Sequence, residues 1–557
     1  MSIQTESASS AGGVLERSAV LDEAHLGDIT GALGTIARHD VAPRTHWWAR
    51  LRTLLVILGP GLIVMVGDND AGAFATYTQA GQNYGTALLW TLLLLVPVLY
   101  VNQEMVLRLG AVSGVGHARL IFERFGRFWG AFSIIDLFLL NALTIVTEFI
   151  GITFVLDFFG FSRLAGVCIA AALTMAAVST GNLRRFERFA MVLCVLSLLL
   201  VPVLVSIHPP VGQMTRDLLV PGWPAHSKLS DVMLLVIGIV GTTVAPWQLF
   251  FQQSYVVDKR ITPRFIRYER ADLWIGIVFV MIGAVAMMAF CAELFAGKPE
   301  FGNFTDAGGV IAGLEKYAGW TMAALFAVAL FDAAIIGAAS VSLSTAYAIG
   351  DVFRIRHSLH RSVFAAKGFY LVYFGIVAGS AGLVLIPGSP LGLLTLAVQS
   401  LAGVLLPSAT VFLLLLCNDR EVLGPWANSQ KVNLFTGAVI WVLVMLSVIL
   451  TASVMYPVMS GETILKVLAS GTVLAVVGYL VTVGIRRLHR EPRDEVGGEP
   501  QVYPEDARRW WRMPPLDELP PPRLTLAKRI WMGVLRGYLL IAVALVIVKV
   551  AQLMFLK

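Results

Sequence analysis

The sequence predicts an all-α polytopic membrane protein, with two inverted five-helix repeats followed by additional C-terminal helices. The first observation is composition: 57% of the 557 residues are hydrophobic and 14% are charged, which excludes a soluble globular chain. The second is the recurrence of apolar windows of about 20 residues, the length that crosses a bilayer. The third is that the first and sixth windows are interrupted, as an inverted five-span repeat would require.

Twelve apolar windows precede a polar segment, and a thirteenth follows it. They lie at about 53–80, 84–109, 129–160, 163–181, 187–207, 232–257, 273–296, 320–350, 365–387, 391–416, 432–456, 462–484 and 530–556. We therefore expect the first repeat at 51–207, the second, inverted repeat at 232–416, and two additional spans at 432–484. Residues 529–557 are expected to form an extra transmembrane helix.

The polar parts of the chain are predicted to be cytosolic. Residues 1–50 lack the apolar core of a cleaved signal peptide, and we expect a mobile N-terminal arm there. Residues 485–528, rich in proline and charge, are expected to form a cytosolic linker. Lysine and arginine follow the even-numbered spans, which places the N-terminus in the cytoplasm. We expect the protein to lie in the plasma (inner) membrane. The net charge of +6 therefore reflects the orientation of the chain in the membrane and the contact of its basic loops with the surface of the lipid bilayer. No nucleic-acid partner is expected.

Two acidic residues lie inside the first span, in Gly67-Asp68-Asn69-Asp70-Ala71-Gly72. A carboxylate at the bilayer centre costs at least roughly 2.5–3.5 kcal/mol, so this pair requires a cation or water to remain charged. The flanking glycines predict a helix that is interrupted in mid-membrane, where freed backbone carbonyls can join the carboxylates around an ion. A pair facing a water-filled pore is the alternative.

The sixth span contains a matching interruption at Gly241-Thr242-Thr243-Val244-Ala245-Pro246-Trp247. Proline lacks the backbone donor and clashes one turn back, so Pro246 predicts a break or a kink. A simple kink would explain Pro246 alone, but two interrupted spans five apart indicate a midplane binding site between them.

Several stretches in order resemble the Nramp family of divalent-metal transporters. They are Gly59 to Gly85, Leu107 to Gly110, Gly181 to Glu187, Gly241 to Ser254, Gln399 to Pro407 and Asp419 to Asn428, within about residues 50–455. The resemblance implies a LeuT-type fold. It also implies a divalent metal ion as transported substrate, with no bound cofactor.

The two binding motifs of this family are altered in the chain. Where the family has Asp-Pro-Gly-Asn, the sequence reads Asp70-Ala71-Gly72-Ala73, and where it has Met-Pro-His the sequence reads Ala245-Pro246-Trp247. Loss of the asparagine and the thioether leaves oxygen donors, which suit Mg²⁺ first and Mn²⁺ next. The resemblance and these departures give the following candidate metal-site residues: Asp70, Asp68, Gly67, Ala73, Ala245, Gln248 and Gln399.

The residues that carry protons in the family are also altered. Its span-three glutamate remains as Glu148, but its aspartate corresponds to Ile145 and its span-six histidines to Trp247 and Gln252. Neither tryptophan nor glutamine titrates near neutrality, so we expect transport that is not coupled to protons. Glu148, Trp247 and Asp332 in span eight are candidate cavity or gating residues.

No nucleophile elbow, phosphate-binding loop or histidine pair is present in the sequence, so an enzyme is not expected. The predicted function is alternating-access import of Mg²⁺, in hydrated form, with Mn²⁺ as a second substrate. Three alternatives remain: a conventional proton-coupled importer of Mn²⁺ or Fe²⁺, an organic-solute carrier of the same fold, and a membrane receptor or scaffold.

Overall fold

The computed structural model describes residues 19–224, 227–386, 391–455, 461–488 and 505–521, together with Met532, Gly533 and Gly537. A hairpin of two short antiparallel strands, β1 (Ile29–Gly31) and β2 (Gly34–Ile36), precedes the helices. The helices are α1 (Trp47–Ile57), α2 (Pro60–Gly67), α3 (Ala71–Tyr84), α4 (Leu89–Ser113), α5 (His117–Phe125), α6 (Arg127–Phe158), α7 (Arg163–Val178), α8 (Leu183–Leu196), α9 (Leu200–Ile207), α10 (Val211–Leu219), α11 (Leu229–Thr243), α12 (Pro246–Asp258), α13 (Ile266–Phe295), α14 (Ala307–Ala318), α15 (Trp320–Phe353), α16 (Lys367–Val384), α17 (Leu391–Cys417), α18 (Arg420–Leu423), α19 (Gln430–Met455), α20 (Gly461–Leu488) and α21 (Glu505–Trp510).

Eight helices of the described chain are long and apolar enough to cross a membrane, or up to ten if each bent pair is counted as one span. The sequence predicted thirteen. One predicted span, at 163–181, is the shorter helix α7, which has 16 residues. The predicted extra helix at 529–557 lies outside the described residues except for three isolated positions, and so does the linker at 489–504 and 522–528.

The first span is interrupted as the sequence predicts. Helix α2 ends at Gly67 and α3 begins at Ala71, so Asp68, Asn69 and Asp70 form the break. A second change of direction precedes it, because α1 and α2 meet at a bend of 50° at Leu58 and Gly59. The first helix starts at Trp47, a few residues before the predicted boundary at 51.

One buried carboxylate fixes the start of α2. Asp272 on α13 accepts hydrogen bonds from the backbone N–H groups of Gly59 (3.1 Å), Gly61 (2.6 Å) and Leu62 (3.2 Å). These N–H groups have no partner within the helix, and Asp272 therefore caps the helix from a neighbouring element. On the other side of the bend, the Lys259 ammonium donates to the carbonyls of Ile57 and Leu58 at 2.7 and 2.9 Å.

The sixth span is also broken where the sequence predicts. Helix α11 ends at Thr243 and α12 begins at Pro246, with Val244 and Ala245 between them. Pro246 has no N–H to donate to the carbonyl of Thr242, which loses the hydrogen bond that a continuous helix would give it. The two half-helices together form one span, Asp231–Asp258, whose residues are mostly buried.

The long helices α6 and α15 pack along each other, and α13 packs against both halves of the first broken span. Helix α12 contacts α4 and α15, while α11 contacts α17. The two broken spans are thereby held in the centre of the bundle, and the unbroken helices surround them. This is the arrangement of a LeuT-type fold, as the sequence predicts.

The expectation of a mobile arm is wrong for residues 19–46, which fold onto one end of the bundle. The Asp22 carboxylate pairs with Arg361 (Oδ1 to Nη2, 2.5 Å) and accepts from the N–H of His357 (3.0 Å). In β1–β2, the Ala32 N–H donates to Glu187 at 2.6 Å. Polar composition misleads here because only a few apolar side chains, such as Ile29 and Ile36, are buried, while ion pairs and hydrogen bonds to distant residues add to the attachment.

A charged histidine supports this attachment. Burial disfavours the charge on His357, but the Asp351 carboxylate, 3.0 Å from Nε2, raises the pKa of His357 to about 9. The ring of His357 also meets that of His25 edge-on, with 5.1 Å between centroids. Because His357 remains protonated at neutral pH, it forms an ion pair at the point where the N-terminal segment lies against the helices.

Gly61 tests the packing that holds α2. A methyl group there would lie 2.7 Å from the backbone N and Cα of Leu273, which cannot move away as a side chain can. We predict that Gly61→Ala lowers the free energy of unfolding by about 1–3 kcal/mol, as overpacking does, and lowers the Tm of the purified protein. Gly375→Ala on α16 is the matched control, since a methyl group there meets open space. Equal Tm values for the two variants would contradict this packing.

Candidate metal site

The two helix breaks lie side by side. The Asp68 carboxylate at the first break accepts a hydrogen bond from the Gln248 side-chain amide, which lies two residues beyond Pro246. The ring of Trp247 approaches Gly67, with its Cη2 3.5 Å from the position of a Cβ there. Asp68 and Asp70 are 1% and 3% exposed, so both carboxylates are held away from water.

Asp70 has a structural partner within its own chain segment. It is the N-cap of α3, and its Oδ1 accepts from the Ala73 N–H at 2.7 Å. The candidate residue Ala73 therefore contributes its backbone N–H to orienting Asp70 and has no side-chain donor for a metal. The Asp68 Oδ2 has no hydrogen-bond partner among the described residues, and this oxygen is free to contact a cation.

Glu148 on α6 joins the first break. Its Oε2 accepts from the Ala71 N–H at 3.0 Å, and its carboxyl group and the Asp70 side chain both pack against Gly337 of α15. In a continuous helix the Ala71 N–H would bond to the carbonyl of Gly67. Its bond to Glu148 leaves this Gly67 carbonyl without its helical partner, as the sequence predicts for a ligand at an interrupted span.

Gln399 reaches the site from α17. A methyl group on Gly72 would lie only 1.6 Å from the Gln399 Nε2, so the amide rests directly on the backbone of the first break. Helices α11 and α17 approach closely at Gly241, where an added Cβ would be 2.5 Å from the Gln399 carbonyl and the Gly403 nitrogen. The absence of a side chain at Gly241 thus allows Gln399 to reach Gly72.

The second break supplies a backbone carbonyl and an aromatic side chain that forms one wall of the site. Ala245 is the N-cap of α12, and its carbonyl accepts from the Gln248 N–H at a long 3.3 Å. Trp247 is buried, and its carbonyl accepts from Ser344 at 3.0 Å. Its indole N–H, a donor that cannot bind a cation, has no partner within the described residues. Trp247 therefore encloses the site.

Asp332 is the one candidate that the structure does not bring to the breaks. It lies on α15, a helix of 34 residues, where it is buried and neither of its carboxylate oxygens has a hydrogen-bond partner among the described residues. The α15 residue that packs on Glu148 is Gly337, more than a helical turn further along the chain. A role of Asp332 in a cavity or in gating stays a prediction. An acid in a span does not reveal which part of the helix faces the centre.

Sequence reasoning missed the residues that hold Gln248 and Trp247. Gln103 on α4 donates from Nε2 to the Gln248 Oε1 at 2.8 Å. Ser340 and Ser344 on α15 face Gly67 and Trp247. Gln103 lies within the second apolar window, and a polar residue in a membrane span could have been used to predict a polar contact there. The two serines could not, because small hydroxyl residues are common in packed membrane helices.

The chemistry of the site is that of oxygen ligands. Within the described residues, no group of three His, Cys, Asp or Glu side chains converges as a metal site, and no lysine or arginine pairs with Asp68 or Asp70. Neither break carries a cysteine, methionine or histidine. The donors that do converge are carboxylates, side-chain amides and freed carbonyls, which favour hard cations such as Mg²⁺, Ca²⁺ and Mn²⁺.

The bundle and its paired breaks define the class of LeuT-type multi-pass membrane transport proteins, which are not enzymes. Residues 61–453 match the model of the Nramp family, described as natural resistance-associated macrophage protein-like. The chain belongs to the Nramp family.

Similar proteins agree with this assignment. A divalent metal cation transporter MntH from Ralstonia nicotianae is 27% identical over 423 residues, which are 72% of this chain and 90% of that protein. An MntH from Xylella fastidiosa is 26% identical over 464 residues, or 80% and 93% of the two chains. The fold resembles the crystal structure of a manganese transporter from Eremococcus coleocola, with a TM-score of 0.61, 20% identity, and coverage of 81% of this chain and 99% of that one.

Gly72 tests whether Gln399 belongs to the site. We predict that Gly72→Ala, whose methyl group would also lie 3.1 Å from the Asp70 Oδ1, displaces the Gln399 amide and weakens divalent-cation binding about tenfold, or about 1.4 kcal/mol. The measurement is the rise in Tm with Mg²⁺ as the probe ion. Gly238→Ala on α11 is the control, since its methyl would make only an ordinary contact of 3.7 Å with Thr76. An unchanged Mg²⁺ response in Gly72→Ala would exclude Gln399 from the site.

Proposed function

We propose that the protein is an alternating-access transporter that imports divalent cations across the plasma membrane, chiefly Mg²⁺ with part of its hydration shell, and Mn²⁺ as a second substrate. The observation that carries this proposal is the pair of buried carboxylates, Asp68 and Asp70, at adjoining helix breaks without a lysine or arginine partner among the described residues. Buried carboxylates are strongly destabilising unless they are paired, and a cation from solution supplies the missing charge.

The preference for Mg²⁺ follows from which donors are present and which are absent. Mg²⁺ loses its water reluctantly and is bound through one or two carboxylates, with several waters retained. Ala73 and Ala245 stand where the family has asparagine and methionine, and their small side chains leave room for such waters. A thioether would instead favour softer transition metals.

Each residue has a distinct role in this proposal. Asp70 is the central ligand, because α3 and Glu148 fix its position. Asp68 contributes its unpartnered Oδ2, either directly or through a water. The Gly67 and Ala245 carbonyls and the amides of Gln248 and Gln399 complete the oxygen environment, while Trp247 covers it.

Alternating access requires that the half-helices move relative to the surrounding bundle. Helix α2 is separated from α1 by a 50° bend and from α3 by a break, so it can rotate about both ends. Asp272 and Lys259 hold it in the present position through five hydrogen bonds to backbone groups. Release of these bonds would open the site towards the arginine-rich end, which the charge bias places in the cytoplasm.

Transport in this proposal does not require protons. At the positions of the family's histidines stand Trp247 and Gln252, neither of which titrates near neutrality. The site therefore lacks the imidazole groups that would carry a proton with the ion, and we expect Mg²⁺ to move down its own gradient.

A conventional proton-coupled manganese importer is the second candidate. The observation that favours it is similarity: the MntH relatives are divalent metal cation transporters, and the structural neighbour is a manganese transporter. It requires the oxygen donors alone to bind Mn²⁺ and another path to carry protons. The two candidates differ in their response to Mg²⁺ and in the accompanying pH change.

Asp70 is the residue on which the proposal depends most. We predict that Asp70→Asn reduces Mg²⁺ uptake into proteoliposomes by at least about 100-fold, since removal of one partner of a buried charge pair costs about 3–5 kcal/mol. Asp332→Asn is the matched control, because it removes another buried acid outside the breaks. An unaltered Tm and elution profile would show that both variants are folded. Uptake by Asp70→Asn at the wild-type rate would refute this site.

The two alanines test the basis of ion selectivity. We predict that Ala73→Asn/Ala245→Met shifts the ratio of Mn²⁺ to Mg²⁺ uptake in favour of Mn²⁺ by about tenfold or more and admits Cd²⁺, because a thioether is a soft ligand. Ala73→Asn/Ala245→Leu controls for volume without the sulfur. If the leucine variant changes selectivity to the same extent, cavity size and not ligand chemistry determines the preference.

A further inference from the structure

A cavity with a volume of about 440 Å³ lies at the arginine-rich end of the bundle, apart from the candidate metal site. Three segments that are distant in sequence form its walls: the N-terminal segment around residues 20–38, the connection 257–265 between α12 and α13, and residues 509–512 of the linker. Gly110 on α4 and Gly114, which directly follows α4, complete the lining of the cavity. None of the candidate metal-site residues lines this cavity.

The walls carry strong positive charge. Five arginines line the cavity, and neither aspartate nor glutamate does so; the arginines are Arg38, Arg260, Arg264, Arg509 and Arg512. None of the five forms a salt bridge with a described residue. Asp28 and Asp258 lie within electrostatic range of Arg260, and Asp40 within that of Arg264, but no carboxylate lines the cavity itself. Like charges gathered in one cavity repel each other and favour an anion between them.

Two of the arginines are fixed in place by neutral partners. Arg260 donates to the carbonyls of Ala24 (2.8 and 2.9 Å) and Asp28 (3.0 Å). Arg264 donates to the carbonyls of Asp40 and Ala42. Carbonyl groups orient a guanidinium without neutralising it, so these bonds attach the N-terminal segment and leave the positive charge in place.

The other three arginines have side chains available for a ligand. Arg38, Arg509 and Arg512 make no side-chain hydrogen bond or ion pair with a described residue. Burial, and secondarily repulsion from Arg38, lower the pKa of Arg512 to about 10, so it remains charged at neutral pH. Charged guanidinium groups form short, bidentate hydrogen bonds with phosphate oxygens.

An aromatic face lies beside these charges. Trp510 lines the cavity, remains 45% exposed, and has the Arg264 guanidinium 5.5 Å from its ring centroid. A planar base can stack on an indole or on a guanidinium plane, a contact that tolerates different bases. The volume is also within the range of cavities that enclose a ligand of nucleotide size.

We propose that this cavity binds a soluble nucleoside polyphosphate, whose phosphates contact Arg38, Arg509 and Arg512 and whose base stacks on Trp510. The bound nucleotide joins the N-terminal segment to the linker. It also lies beside the connection that begins at Lys259, the residue that holds the bend between α1 and α2. Occupancy therefore stabilises the closed position of α2 and slows transport. Binding itself does not depend on the proposed metal substrate, and only the cytosolic source of the nucleotide rests on the proposed orientation.

The test is ATP binding to the full-length protein in nanodiscs of neutral lipid, with EDTA present so that no divalent cation contributes. The readout is the rise in Tm with ATP concentration. Arg38→Gln/Arg512→Gln should weaken ATP binding at least about tenfold, because each charge-assisted bond to phosphate is among the stronger hydrogen bonds. Trp510→Ala should weaken it several-fold and should make ATP and inorganic tripolyphosphate equivalent.

A control of equal charge is Arg185→Gln/Arg356→Gln, which removes two exposed arginines outside the cavity; it should bind ATP as the wild type does. Vesicles of neutral lipid with and without a phosphoinositide separate the two sources of phosphate. Binding of ATP that is lost only in the cavity variants supports the proposal. Binding of phosphoinositide vesicles without ATP binding overturns it in favour of a lipid headgroup. Failure to bind ATP, or equal binding in all variants, overturns it outright.

Discussion

The structure depends on one constraint: two carboxylates, Asp68 and Asp70, are buried where a membrane helix is interrupted. Burial of negative charge is tolerated only if a cation, hydrogen bonds or both compensate for it. The hydrogen bonds come from the Gln248 amide and the Ala73 N–H, but neither of these supplies positive charge. In the proposed function a cation meets this remaining requirement, and oxygen donors from four helices bind it.

The same interruption gives the protein its capacity to move. A helix that is broken at Asp68–Asp70 and bent at Leu58–Gly59 leaves α2 as a separate unit of eight residues. Its backbone ends are satisfied by Asp272 and Lys259 from neighbouring elements instead of by further helix. These contacts are specific but few, so the unit is held in one position without being part of a continuous rod. In the proposed function, ion binding and gating therefore use the same short stretch of chain.

Much of this could be predicted from the sequence because membrane insertion imposes strong rules on composition. Both breaks were predictable from Gly67, Gly72 and Pro246, since each disrupts a helix in a known way. Asp332 could not be placed, because its position on α15 is set by the packing of a long helix and not by its own type. Folding of residues 19–46 onto the bundle was also unpredictable, since Asp22 and Ala32 find partners that are more than 150 residues away in sequence.

The most direct test of the account is the simultaneous recording of Mg²⁺ and pH inside proteoliposomes that contain the purified wild-type protein. Uncoupled Mg²⁺ transport predicts Mg²⁺ entry down its gradient with no matching change in internal pH. This result would be explained by a site with oxygen ligands only and by the absence of histidine at positions 247 and 252. Entry of Mn²⁺ or Cd²⁺ with acidification, and no Mg²⁺ signal, would contradict it and would indicate that the protein retains conventional proton-coupled transport.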